Sequence, residues 1–363
     1  DQIGPVMTQG VFFLLALATL AFLFSRLFAE GVMGWLISSD AILKATMDFL
    51  DWRVIGFFFS FMSVMFRALY VGITRTKVLT INAVLMAVTN VVLDYLLIFG
   101  HAGFPRMGIQ GAAIASVIAE AVSILFLVVY TRWTVDIRKY ALDKFRSFDL
   151  ALLGRVLNIS VFMMLQYFLS IVSWFMFFIA VEHLGQRELA IANIVRSIYV
   201  VMLIPVNALA TTTNTFVSNS IGARDTALVI PIIRKICHYS LGLMVGICAL
   251  FCLIPEQVLA VYTNDLSLID AAVPSLYVII VAMLIAAVSC IIFNGVSGTG
   301  NTRSALFIES SVLVLYVLFI YITGMRMRLP VAICFGCEIV YYTGMLLASA
   351  LYLKKANWQN KRI

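Results

Sequence analysis

Asn90 and Asp94 stand four residues apart in the apolar run Val78–Gly100, so an amide and a carboxylate share one helical face. A carboxylate in hydrocarbon holds its charge at a cost and takes up a proton or a small cation, which is the chemistry of an ion-coupling site. The bland alternative is that Asp94, six residues before Gly100, only reaches the outer interface. Asn beside Asp is surplus polarity for a lipid-facing helix, and the functional reading is favoured. Ser116 and Glu120 repeat the four-residue spacing in the next run, and Glu338 has a similar depth in the last one. These two glutamates read either as coupling sites or as structural carboxylates tied to Ser, Tyr or Arg neighbours. Glu309, five residues from the cytoplasmic end of its run, reads as a pairing group. Arg67 and Arg196 each lie about six residues from a run's end, within snorkelling reach of the interface. Both read as structural. Arg196 has the stronger functional claim, because Asn193, Asn207 and Asn214 share its run.

The elements that must position these groups follow from composition. Of 363 residues, 63% are hydrophobic and 12% charged, against about 45–50% and about 25% in an ordinary soluble domain. One buried core cannot absorb that excess, which excludes a water-soluble enzyme, a disordered chain and a disulfide scaffold. A bilayer core takes about 20 apolar residues per helix. Ten stretches qualify: Thr8–Phe28, Val54–Ile73, Val78–Gly100, Ile109–Thr131, Leu157–Val181, Ala190–Ile221, Ile236–Ile254, Ala271–Gly295, Ser304–Gly324 and Pro330–Leu353. None alternates with period 2, so the fold class is an all-α polytopic membrane protein rather than a barrel. The connections are short except Ala29–Arg53 and Arg132–Val156. Pro205 and Pro274 fall inside runs and predict bends. The six cysteines lie in apolar stretches of the second half, and the lone C-x-x-C of Cys334 and Cys337 reads as packing between helices.

Basic residues set the orientation. One set of alternate loops carries 16 Lys and Arg and the other 7, placing both chain ends in the cytoplasm; the expected location is the plasma (inner) membrane. The richer set includes Arg138, Lys139, Lys144, Arg146, Arg303, Lys354, Lys355, Lys361 and Arg362. A net charge of +7 that punctuates apolar runs is not a nucleic-acid surface.

The chain also repeats. At an offset of 226, GITRTK (Gly72–Lys77) lies over GTGNTR (Gly298–Arg303), and Pro5, Glu30 and Val32 fall on Pro231, Glu256 and Val258. The second unit has six spans and the first four. The expectation is a parent of twelve spans in two six-helix lobes, related by a pseudo-twofold along the membrane normal, with two N-terminal helices missing from this chain. The expected domains are an N-lobe at 1–131, a basic cytoplasmic linker at 132–156, a C-lobe at 157–353 and a cytoplasmic tail at 354–363.

Signatures of hydrolytic or phosphate-loop enzymes (H-E-x-x-H, G-x-S-x-G, G-x-x-x-x-G-K-[ST]) are missing, so an enzyme is not expected. The stretch NVVLDYLLIFG-HAGFP-RMGIQGAAIAS (Asn90–Ser116) resembles the fifth and sixth helices of the multidrug and toxic compound extrusion (MATE) family. LNISVFMMLQ, AIANIVRSIYVVMLIPVNALA and VSNSIGARD resemble its seventh and eighth helices, and FNGVSGTGNTR the segment after its tenth. The resemblance implies a secondary antiporter that exports hydrophobic, often cationic compounds against H+ or Na+, with no other cofactor. The implied partners are a small-molecule substrate and membrane lipid, and the implied state is a monomer. In the family's DinF-like branch the coupling pocket maps onto Asn90, Asp94 and Ser116. That branch's essential Asp on helix one falls in the missing part. The NorM-like branch has carboxylates on helices seven and ten. Here the helix-seven position is Gln166, and Ala271–Gly295 has no carboxylate, which places the chain on the DinF-like side. Rival expectations are a flippase for a lipid-linked oligosaccharide, whose cavity needs more Arg and Lys than Arg67 and Arg196 supply, and an intramembrane enzyme, for which no catalytic pair exists.

Overall fold

The computed structural model describes residues 3–36, 40–136, 140 and 149–355, and these form helices joined by short turns. The order is α1 (Ile3–Leu36), α2 (Asp40–Arg53), α3 (Gly56–Gly72), α4 (Lys77–Phe99), α5 (Gly108–Thr134), α6 (Leu150–Glu182), α7 (Gln186–Gly222), α8 (Val229–Leu253), α9 (Pro255–Ala260), α10 (Leu266–Gly298), α11 (Thr302–Ile320), α12 (Val331–Cys334) and α13 (Gly336–Lys355). Nine helices are long and apolar enough to cross a membrane, and a tenth span is a bent pair, Leu43–Arg53 with Gly56–Gly72 at 51°. All ten expected spans are accounted for among the described residues.

Several boundaries differ from the expectation. Ala29–Arg53 is not a bare connection: α1 continues to Leu36 and α2 fills Asp40–Arg53. Five charges in fourteen residues kept α2 out of a hydropathy reading, although they suit a helix on the flank of a span. The linker 132–156 is helical at both ends, because α5 runs to Thr134 and α6 begins at Leu150, where Asp149 Oδ1 accepts from the amides of Ala151 and Leu152. Arg138, Lys139, Lys144 and Arg146 of the linker, and Lys361 and Arg362 of the tail, lie outside the described residues. Pro205 and Pro274 lie inside α7 and α10, each a single continuous helix. A π-helical turn follows α11 at Tyr321–Arg326.

Two compact units appear, Asp1–Leu157 and Asn158–Ile363. The first unit joins α4 and α5 along a seam of small residues, with Ala113, Ala115 and Ala119 at 1% exposure or less. Gly111 is the closest point: a Cβ there would lie 2.8 Å from the carbonyl of Leu97. Small side chains let apolar helices approach so that dispersion and interhelical hydrogen bonds hold them in lipid. Asn82 Nδ2 donates to Ser123 Oγ at 2.8 Å across the same seam. Gly111→Leu should therefore wedge α4 from α5 and cost about 1–3 kcal/mol. The check is a lowered melting temperature in detergent, with Gly154→Leu on an open helix face as the tolerated control.

The second unit is built around α10, whose Ile279, Ala282, Met283, Ala286 and Ala287 are all fully buried among α7, α8 and α13. Asp265 caps its start by accepting from the amide of Ser267 at 2.9 Å, and hydrogen bonding to Ser267 holds this carboxyl below its usual range. Gly72 and Gly298, which stand at the repeat's offset of 226, close α3 and α10. The cysteines are free; Cys334 and Cys337 pack in the core as expected, whereas Cys252 near the end of α8 is exposed.

Candidate functional site

The Asn90–Asp94–Ser116 triad is brought together in part. Asn90 Nδ2 donates to Ser116 Oγ at 3.3 Å, joining α4 to α5 as the spacing suggested. Asp94 stands one turn along and does not join that bond. Its Oδ1 is buried with no hydrogen-bond partner among the described residues. A carboxylate oxygen shielded from water and offered no donor is an acceptor available to a proton or a cation.

Glu120 is tied down. Arg53 grips it with two bonds, Nη1 to Oε2 at 3.0 Å and Nη2 to Oε1 at 2.8 Å, and Ser60 Oγ donates to Oε1 at 2.8 Å. Arg53 ends α2 and Ser60 sits on α3, so the glutamate on α5 clasps both sides of the 51° break. Gly56 makes room for the clasp, since a Cβ there would come within 2.1 Å of Arg53 Nη1 and 2.6 Å of Glu120 Oε2. Of the two readings left open for Glu120, this geometry fits the structural carboxylate. Glu120→Gln should cost about 1–2 kcal/mol, reduced by the pair's partial exposure. Arg53→Gln with Glu120→Gln should recover most of it in a double-mutant melting cycle, because no unpaired charge then remains.

The second unit holds a cavity of about 470 Å³, within the range of small-molecule sites. Gln166, Ser170 and Trp174 of α6 line it with Asn207 and Asn214 of α7, Asn294 of α10, Glu309 and Tyr316 of α11, and Glu338, Tyr341 and Tyr342 of α13. Ser170 Oγ and Tyr341 OH both donate to Glu309 Oε1, the latter at 3.0 Å. Glu309 Oε2 and Gln166 Oε1 are buried without a donor among the described residues. Two acceptor oxygens that face one cavity, with the Gln166 amide side chain also interacting with Glu309, suit a bound cation, a proton or a donor-rich ligand. Glu309 is held by hydroxyls, with no base bonded to it among the described residues.

Glu338 forms the cavity's second acidic wall. Arg196 Nη1 donates to its Oε1 at 2.7 Å, Tyr199 OH to its Oε2 at 2.9 Å and Tyr316 OH to Oε1 at 3.3 Å. Tyr199 and Tyr342 share a further bond at 2.6 Å. Arg196 does not snorkel. It is 3% exposed and its guanidinium lies over the rings of Trp174, Phe177, Phe178, Tyr199 and Phe335 at 4.4–5.9 Å. The reason is that α7 begins at Gln186, four residues before the apolar run, which places Arg196 ten residues into the helix. Arg67, by contrast, is exposed near the end of α3.

Ser170, Asn294 and the four tyrosines were not anticipated as site residues. One signal was present, because Gln166–Ser170 repeats the four-residue polar spacing that drew attention to Asn90–Asp94 and Ser116–Glu120. Asp270 is exposed near the start of α10 and is not among the residues lining the cavity.

Similar proteins carry the same arrangement of helices. The chain is similar to the probable multidrug resistance protein NorM of Thermotoga maritima, 26% identical over 276 residues, which is 76% of this chain and 56% of the relative. A probable NorM of Photorhabdus laumondii is 24% identical over 76% of this chain and 62% of its own length. That of Agrobacterium fabrum is 29% identical over 37% and 30%. The chain thus spans less than two thirds of the curated relatives it matches. Among solved structures, the Vibrio cholerae MATE transporter VcmN superposes with a TM-score of 0.82 at 16% identity, over 99% of this chain and 81% of that one. A MOP superfamily transporter from Pyrococcus furiosus gives 0.84 at 16% identity over 98% and 79%. The fold is theirs. The MatE family model matches residues 1–96 and 159–322, well over half of the sequence, and the chain belongs to the MatE family.

Proposed function

We propose that this protein exports hydrophobic, cationic small molecules by alternating access, in exchange for H+ or Na+. The observation that carries this reading is the cavity of about 470 Å³ inside a multi-span protein, whose unpartnered acceptors Glu309 Oε2 and Gln166 Oε1 stand near aromatic side chains. Aromatic faces and carboxylate oxygens together favour an amphipathic cation over a neutral or anionic ligand. A cavity for a lipid-linked pyrophosphate needs exposed bases. Neither Arg nor Lys lines this one, and Arg196 stands behind its wall, paired with Glu338.

Coupling is assigned to Asp94 with Asn90 and Ser116, as the DinF-like resemblance implies. The donor-free Asp94 Oδ1 supports that role, and the Asn90–Ser116 bond fixes the helix face that presents it. The two expected lobes, with both chain ends in the cytoplasm, complete the reading.

The test is efflux of ethidium from proteoliposomes of the full-length protein, with H+ and Na+ gradients imposed separately. Efflux driven by one gradient and abolished by its collapse is the expected result. Efflux indifferent to both, or transport confined to anionic lipids, would sink the reading.

A further inference from the structure

Where α11 begins and α13 ends, a second cavity of about 520 Å³ opens, lined by Arg303, Ser304, Phe307, Ala348, Leu351 and Lys355 among others. Its chemistry is divided. At one end stand two bases and a hydroxyl, at the first turn of α11 and the last turn of α13. The other end is apolar and open, with Phe307 75% and Leu351 54% exposed. No carboxylate lines it, and among the described residues neither Arg303 nor Lys355 forms an ion pair. Arg303 is nevertheless positioned, its guanidinium 5.0 Å from the ring centre of Phe162. Asn301 Nδ2 donates to Tyr352 OH and ties the loop before α11 to α13, so the two bases are held across a fixed notch.

We infer that this notch is a binding site for an anionic phospholipid, with the phosphate between Arg303 and Lys355 and an acyl chain along Phe307 and Leu351. Charge complementarity selects the occupant. A guanidinium in the first turn of α11 and an ammonium facing it from the end of α13, both without counter-ions, favour a phosphodiester. The exposed apolar side chains that continue from them favour a lipid over a soluble phosphate. Both bases belong to the loops that carry the chain's Lys and Arg excess, and basic notches between spans on that side of a membrane meet anionic headgroups. Residues 356–363 make a poor alternative occupant, since they contain Lys361 and Arg362 and no acidic side chain. The site is separate from the cavity of Glu309 and Glu338, with which it shares no lining residue.

The test uses the purified full-length protein in detergent, with dioleoylphosphatidylglycerol, dioleoylphosphatidylcholine or sodium phosphate added, and counts bound lipid by native mass spectrometry. Retention of phosphatidylglycerol should exceed that of phosphatidylcholine by about tenfold, and Arg303→Gln with Lys355→Gln should erase most of that preference. Arg234→Gln with Lys235→Gln, which discharges another basic notch on α8, is the matched control and should leave it intact. Ala348→Trp fills the groove while keeping both charges, and should weaken retention of both lipids. Equal retention of the two lipids, or equal losses in the two double variants, would mean diffuse surface charge and overturn the site. So would unchanged retention in Ala348→Trp. Displacement of phosphatidylglycerol by millimolar phosphate would assign the notch to a soluble anion instead. Melting temperatures without lipid show that each variant is folded before its binding is compared.

Discussion

Arg196→Met is expected to be the most damaging single substitution in the second unit, lowering stability by about 3–5 kcal/mol, the range for a buried pair that loses one member. The wild-type pair is almost entirely withdrawn from solvent, the side chains of Arg196 and Glu338 being 3% and 4% exposed. Removing the guanidinium leaves Glu338 with two tyrosine donors and no counter-charge, in a place where an isolated carboxylate is costly. It also empties a pocket of five aromatic rings that a cation currently fills. Arg196→Met with Glu338→Gln removes both charges and should regain most of the loss, because the desolvation cost disappears with the attraction. The measurement is thermal unfolding of detergent-solubilised protein for the two single variants and the double. A single variant that melts with the wild type would show that the pair contributes nothing. A double variant as damaged as the single would move the cause from charge to packing. Tyr199→Phe provides a smaller comparison, since it removes one donor to Glu338 and the bond to Tyr342 while keeping the ring.

The spans were legible because they depend on hydropathy, which lipid reads directly. The polar contacts were legible only where spacing alone decides them. Asn90 and Ser116 could be matched because α4 and α5 are adjacent antiparallel helices joined by a short loop. The partners of Glu309 could not: Ser170 is 139 residues away on α6, and nothing local singles it out. Arg196 was misplaced for a different reason. Its helix starts in the polar stretch Gln186–Leu189, and hydropathy counts the depth of a residue from the first apolar position rather than from the first helical turn. Glu120 and Glu338, expected at a similar depth, were half legible. Each carboxylate has an arginine and a hydroxyl partner, yet Arg53 and Arg196 do not correspond under the repeat, so the pairing was solved separately in each unit. Asp94 has no acidic mate either, because the offset of 226 carries it to Ile320, and Glu309 falls back on Ala83. Acidic groups that the repeat does not duplicate are candidates for function rather than for folding.

That asymmetry sharpens the second large prediction, that Asp94→Asn abolishes coupled efflux while the protein still folds and inserts. A coupling carboxylate must bind its proton or cation on one side of the membrane and release it on the other. Asn has the same size and hydrogen-bonding reach but cannot carry the charge that this exchange needs. The folded state should tolerate the change, because Asp94 Oδ1 has no donor to lose and taking a charge out of hydrocarbon is favourable. Glu309→Gln should behave differently. It keeps an acceptor for Ser170 and Tyr341 but neutralises the cavity, so efflux of cationic dyes should fall while export of neutral compounds persists. Glu120→Gln should transport like the wild type once its lower stability is allowed for, since its carboxylate is spent on Arg53 and Ser60. The measurement is ethidium efflux from cells, with surface expression quantified for each variant and a neutral fluorescent substrate run in parallel. Unimpaired efflux in Asp94→Asn would remove that residue from the mechanism. A total loss of both cationic and neutral export in Glu309→Gln would transfer the coupling role to the second unit, where Gln166 Oε1 and Glu309 Oε2 already present two donor-free oxygens to one cavity.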